Sequence, residues 1–253
     1  GVAMNQIVLI TDGRSNVGVS PAVAAAHAYR EGIVVNVVGV VDDGDIDGKG
    51  ADEIAEIARS GGGISRIVNS TLLAQTVQMV TRKTVVGTIH QVVNRELRQL
   101  LGDKSLAELP PEQRGPIVQV IDDLSEQVSL RVALLIDTSG SMKRKLRAVE
   151  QACRDLLYSL QARKGESEMA VFHFPGDRAD TEMDVGWTRD LAKTRGLFYN
   201  LNMKGTTPTG PALLDVVRYF GAEVPDLDEF PRSRNGNVAR AVGQDGVWRD
   251  YIV

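Results

Sequence analysis

LLIDTSGSM (134–142) and, far upstream, IVLITDGRS (7–15) decide the reading of this chain. Each is a continuous apolar run that stops at an acidic residue and continues into small polar residues. Such a run reads as a strand buried on both faces, the kind that builds parallel sheets. A carboxylate at the end of a buried strand is a group placed to hold something. If the two strands lie in one sheet, Asp12 and Asp137 face one ion.

The same grammar extends outward from both strands. After the strand at 6–10 comes an Ala-rich helix, SPAVAAAHAYREG, with Pro21 in its first turn and Gly32 at its end. IVVNVVGVV (33–41) is a second buried strand, ADEIAEIARSGGG a helix ended by glycines, and ISRIVN (64–69) a third strand. From Thr71 to Leu101 apolar residues recur at helical spacing, with Gly87 as a candidate break. A polar connector ending in Pro110-Pro111 leads to an amphipathic helix at 112–126. The alternation then restarts: strand 130–136, helix 145–161, strand 168–174, an edge strand at 183–188, a helix over 189–201 and a helix at 210–220 opened by Pro211. Strands alternating with helices predict an α/β fold, a doubly wound, mostly parallel six-stranded sheet with helices on both faces. Beyond Gly221 the periodicity fails, and residues 221–253 read as a flexible tail.

Composition narrows the function. With 253 residues and 43% hydrophobic content the chain can bury a large core. A net charge of −4 argues against nucleic-acid binding, which needs a basic face. Lys143-Arg144-Lys145 reads as solvated helix surface. Cys153, the single cysteine, excludes an intrachain disulfide and reads as a small core residue in a reducing compartment. No run of about 18 apolar residues suggests a membrane span or a signal peptide, so a cytoplasmic protein is expected.

Three short elements carry the chemistry. In Asp137-Thr138-Ser139-Gly140-Ser141 a strand-end carboxylate is followed by serines at alternate positions, a spacing that lets three oxygens converge in a curled loop. Carboxylate and hydroxyl oxygens suit a hard cation such as Mg²⁺, which takes octahedral oxygen ligands at about 2.0–2.1 Å. The competing explanation is a helix N-cap, a role these residue types also fill. In Gly205-Thr206-Thr207-Pro208-Thr209-Gly210-Pro211, Pro208 pushes Thr207 out of the helical region, which presents its hydroxyl from a loop. An ordinary helix-start turn explains the same residues. In Thr11-Asp12-Gly13, Asp12 is either a ligand or a turn residue bonded to nearby amides.

Together these elements resemble the metal-ion-dependent adhesion site of the von Willebrand factor type A (VWA) family. The resemblance implies a metal site made of Asp137, Ser139, Ser141, Thr207 and Asp12, with Mg²⁺ (or Mn²⁺ or Ca²⁺) bound. In most members the Asp-x-Ser-x-Ser motif comes first, then Thr, then Asp. Here Asp12 leads, so the chain looks like a circularly permuted VWA domain. That implies the family's later half at 6–102, a helical linker over 103–128 joining the old termini, and its earlier half at 129–220. In the family's strand order, 3-2-1-4-5-6, the strands carrying Asp137 and Asp12 are neighbours, and ligands gather at their carboxyl ends. The span from Gln6 to Phe220, including QTVQMVTRK and TPTGPAL, also resembles permuted VWA proteins encoded near sporulation genes of spore-forming Gram-positive bacteria. A link to sporulation follows from that resemblance alone.

The function expected is non-catalytic: a metal-dependent protein-binding module that captures an Asp or Glu of a partner protein. A Mg²⁺-dependent phosphohydrolase of haloacid-dehalogenase-like type is the alternative, although such enzymes want an Asp where this chain has Ser139. The module is expected as a monomer or as a dimer with exchanged halves. Two weaker signals are set aside. Asp42–Gly48 imitates an EF-hand start, but Ile54 stands where a bidentate Glu is needed. His27, His90 and His173 form no metal-spaced pair; His27 and His90 read as helix surface and His173 as a packed strand residue.

Overall fold

The computed structural model describes residues 3–42, 48–102, 105–199, 201 and 205–221. Six strands, β1 (Met4–Thr11), β2 (Ile33–Val40), β3 (Gly62–Val68), β4 (Leu130–Asp137), β5 (Ser167–Phe174) and β6 (Glu182–Thr188), form one sheet in the order β3-β2-β1-β4-β5-β6. All neighbours pair in parallel except β5 and β6, which are antiparallel. The mostly parallel α/β sheet expected from the alternation is therefore present.

Alternate residues of the strands build two cores. Ile7, Leu9, Val35, Leu135 and Phe172 face one layer of helices: α1 (Pro21–Arg30), α2 (Gly48–Ser60) and α6 (Thr209–Gly221). Val8, Ile10, Val38, Leu134 and Val171 face the other, α3 (Leu73–Leu101) and α5 (Leu146–Gln161). This period of two, carried through apolar residues on both faces, is why the central strands read as unbroken hydrophobic runs. α4 (Pro111–Gln127) packs against α3 around a third, smaller cluster of Ile89, Leu106, Leu109 and Ile121.

Two local expectations are corrected. Gly87 does not break α3, which runs unbroken for 29 residues. One glycine costs a helix only about 1 kcal/mol, and the Val77, Val80, Val85 and Ile89 face is held by burial on both sides of it. Among the described residues of 189–201 no α-helix forms. After a short 3-10 turn at Leu191–Thr194, capped by the Asp190 carboxylate on the Ala192 amide, the backbone turns left-handed at Gly196 and Phe198. Leu197 and Phe198 are thereby buried in the α3/α5 core. Tertiary burial has overridden the helical spacing of the segment. The acidic stretch 43–47 and the tail from 222 onward lie outside the described residues.

Among the described residues no helix is long and apolar enough to cross a membrane. Cys153 is fully buried in the α3/α5 core, and burial, followed by the charges of Asp184 and Glu150, pushes its thiol far up. A thiol so placed is a packing group rather than a nucleophile.

Candidate metal centre

β1 and β4 are neighbours in register, with Ile10 opposite Ile136, so their acidic ends come out side by side at the carboxyl edge of the sheet. Asp137 is the last residue of β4 and is 1% exposed. Its two oxygens are fixed separately. The Thr11 hydroxyl donates to Oδ2 at 2.7 Å, and the Ser139 amide donates to Oδ1 at 2.9 Å. Burial pushes the Asp137 carboxyl above its ordinary value; the Ser139 and Thr11 hydrogen bonds oppose this, and the nearby charge of Asp12 adds to it. Among the described residues no cationic side chain pairs with Asp137.

Asp12 follows β1 directly. The Ser141 hydroxyl donates to its Oδ1 at 3.0 Å, and the Lys145 ammonium lies 2.9 Å from its Oδ2. Ser141 and Lys145 both belong to the 3-10 turn Gly140–Lys145 that links β4 to α5. Lys145 is thus not solvated surface: its side chain is 14% exposed, while Lys143 and Arg144 do face solvent.

Thr207 joins the group indirectly. Its amide donates to Asn16 Oδ1 at 2.7 Å, its carbonyl accepts from the Asn16 amide at 3.2 Å, and Asn16 Nδ2 reaches the Gly205 carbonyl. Asn16 stands four residues after Asp12, so the Thr loop and the Asp12 loop are laced together. Thr207 is buried, and no hydrogen bond among the described residues engages its hydroxyl. The next turn sits tight on the same loop. A Cβ at Gly210 would stand 1.9 Å from the Val19 carbonyl oxygen, so only glycine fits there.

The structure therefore brings Asp12, Asp137, Ser139 and Ser141 together at two adjacent strand ends and ties Thr207 to them through Asn16. Three participants escaped sequence reasoning. Thr11 was read only as the flank of Asp12 in its turn, Lys145 was masked by the two surface cations before it, and Asn16 carried no motif signal. The donors are all oxygen, two carboxylates and three hydroxyls, which is what a hard divalent cation takes. An unpaired buried carboxylate and an ammonium already seated on its neighbour fit a positive charge at this place. Among the described residues no group of three or more His, Cys, Asp and Glu is placed to hold a metal; the set here has only two carboxylates.

Two of the three histidines have partners away from this site. His173, on β5, is 2% exposed, with Nδ1 2.7 Å from Asp184 Oδ2 and Nε2 3.4 Å from Glu182 Oε2. Burial works against its imidazolium, but the charges of Asp184, Glu182 and Asp177 and the Asp184 hydrogen bond outweigh it and raise the pKa. Glu182 also accepts the Asp177 amide, which pins the loop after β5. His90 meets Asn94 at 3.0 Å within α3, and Asn94 in turn accepts the Leu106 amide, so this pair anchors the connector.

No family model matches the chain. A crystal structure of an uncharacterized protein from Alicyclobacillus acidocaldarius subsp. acidocaldarius DSM 446 superposes with a TM-score of 0.78 at 40% identity, covering 85% of this chain and 93% of that one. Over 237 residues the chain is 44% identical to "Uncharacterized protein YabS" of Bacillus subtilis (strain 168), which spans 93% of this chain and 94% of that protein. Identity of that degree over nearly the whole of both chains places this protein in the same family as YabS.

Proposed function

We propose that this protein is a circularly permuted VWA domain that holds a divalent cation, Mg²⁺, Mn²⁺ or Ca²⁺, and captures a carboxylate of a partner protein with it. The observation that carries this reading is the meeting of two motifs at one place: Ser141 bonds Asp12 across 129 positions, and Thr11 bonds Asp137 across 126. Separate helix caps would have no reason to converge.

The sheet order supports the permuted reading. In β3-β2-β1-β4-β5-β6, exchanging the first three strands of the chain with the last three leaves every strand beside its former neighbours. Moving the chain ends therefore changes nothing at the carboxyl edge. A monomer suffices for the proposed site, because β1 and β4 pair within one chain. The setting in sporulation that the sequence resemblance supplies is part of the proposal.

Asp12 and Asp137 would hold the ion, with Ser139, Ser141 and Thr207 as neutral oxygens around it. When bound, the cation supplies an electrophilic centre with room for one further carboxylate. The chain's own two negative charges balance a dication without saturating it, so an Asp or Glu from a partner completes the set. Thr11 and the Ser139 amide hold Asp137 in one orientation, and the Asn16 lacing fixes Thr207, so little ordering is left for the moment of binding.

Calorimetric titration of Mg²⁺ tests the reading: binding by the wild type and loss of it in Asp137→Ala are expected, and equal binding by both would overturn it. Pull-down with and without EDTA should then release a partner whose single Asp or Glu is essential.

A further inference from the structure

Lys145 is the third cation of a run whose first two members face solvent, yet it alone turns inward to Asp12. Both Asp12 oxygens are consequently engaged, Oδ1 by Ser141 and Oδ2 by Lys145. A second carboxylate stands one strand further along. Asp42 follows β2, the strand that flanks β1 on the side away from β4. Its Oδ1 takes the amide and hydroxyl of Ser70 at 3.0 and 2.5 Å, and no described residue donates to its Oδ2. The turn Ser70–Leu72, whose first residue holds Asp42, packs against α5, which begins directly after Lys145, so this second acceptor stands beside the root of the lysine. The Ser70 bonds lower the Asp42 pKa, with the charge of Lys145 adding least.

We propose that Lys145 is a tethered cation that occupies Asp12 in the metal-free protein and moves to Asp42 when a divalent ion binds. This rests on the metal reading above and adds its regulation. A dication held by Asp12 and an ammonium on the same carboxylate repel each other at close range. The lysine stem is flexible and its head is a point charge, so it can exchange one carboxylate for another without rebuilding the turn that carries it. Lys145 thereby sets metal affinity below what the oxygens alone would give, and the site fills only above a threshold of free ion. It also spares the metal-free protein an unpaired charge at Asp12.

The test uses the full chain and Mg²⁺ alone. Calorimetry compares the wild type with Lys145→Met, Asp42→Asn and the double variant, and amine labelling of the Lys145 peptide is followed by mass spectrometry with and without Mg²⁺. Lys145→Met should tighten Mg²⁺ binding by about tenfold or more, as removal of a nearby like charge does at reduced dielectric. Asp42→Asn, which can still accept from Ser70, should weaken binding in the wild-type background and change nothing in the Lys145→Met background. Labelling of Lys145 should accelerate when Mg²⁺ is added. Equal or weaker Mg²⁺ binding by Lys145→Met, or labelling that Mg²⁺ leaves unaltered, overturns this inference while the metal reading stands. No Mg²⁺ binding by any of the four proteins overturns both.

Discussion

The Thr11 hydroxyl donates to Asp137 Oδ2 at 2.7 Å, joining the ends of two parallel strands through residues 126 positions apart. Both groups are out of water, Thr11 at 2% exposure and Asp137 at 1%. A hydrogen bond to an ionised acceptor in such a place is a strong orienting contact. Thr11→Val keeps the shape and removes the donor. We expect Mg²⁺ affinity to fall about tenfold, the scale of an outer-sphere ligand contact, with about 1 kcal/mol lost in urea unfolding. Unaltered calorimetry would take Thr11 out of the site.

Asp137 carries a stability cost in its buried charge. Burial raises its pKa, so its charged form is the one the fold resists. Stability of the metal-free protein should therefore rise as pH falls through that raised value, until other carboxylates are protonated. Asp137→Asn removes the buried charge and keeps an acceptor for the Ser139 amide. It should stabilise the metal-free protein at neutral pH by about 1 kcal/mol, a usual size for a favourable substitution, and abolish Mg²⁺ binding. A lower melting temperature than wild type in EDTA would contradict this.

His173 has the opposite sign. Its folded pKa is raised, so the stability it contributes is complete below the ordinary histidine value and is lost as pH rises through the raised one. Melting temperature should decline as pH rises from the ordinary histidine value through the raised one, and His173→Gln should flatten the decline. The variant also leaves Asp184 and Glu182 buried without their cation, at a cost of about 3–5 kcal/mol. A pH profile identical in slope to that of wild type would show that the imidazolium is not the source.

Gly210 tests the lacing of the Thr207 loop. A methyl group there would collide with the Val19 carbonyl, a backbone atom that cannot swing aside. Gly210→Ala should cost about 2 kcal/mol or more, the range of overpacked sites, and weaken Mg²⁺ binding because Thr207 and Asn16 move apart. Full stability in a thermal melt would show that the contact relaxes freely.

The proposed permutation can be tested by reversing it. Joining Gly221 to Met4 through a short linker and opening the chain after Gly102 restores the motif order Asp137, Thr207, Asp12. Strand neighbours are the same in both connections, so the rejoined protein should melt cooperatively and bind Mg²⁺ as the wild type does. An unfolded or non-binding product would mean that α4 and the connector do more than join two halves.

Several elements were legible because local and global preferences agree in them. The central strands announce themselves by apolar runs that are buried on both faces, and α1, α5 and α6 by their periodicity and by Pro21 and Pro211 in the opening turns of α1 and α6. The segment 189–201 misled because its spacing fits a helix while burial of Leu197 and Phe198 demands a left-handed turn. Lys145 misled for a related reason. Exposure within a run of cations depends on which way a 3-10 turn faces, and one residue of rotation carries a side chain from solvent to Asp12.

By itself the sequence determined the alternation of strands and helices, the two acidic strand ends and the residue types around them, because periodicity and strand-end chemistry are written along the chain. Only the tertiary structure decided which groups meet. Thr11 finds Asp137, Lys145 finds Asp12 and Asn16 finds Thr207 because the sheet sets β1 beside β4 and the loops at its carboxyl edge close over them. Partners separated by more than a hundred positions leave no local signal, since each depends on a register that exists only once the sheet is assembled.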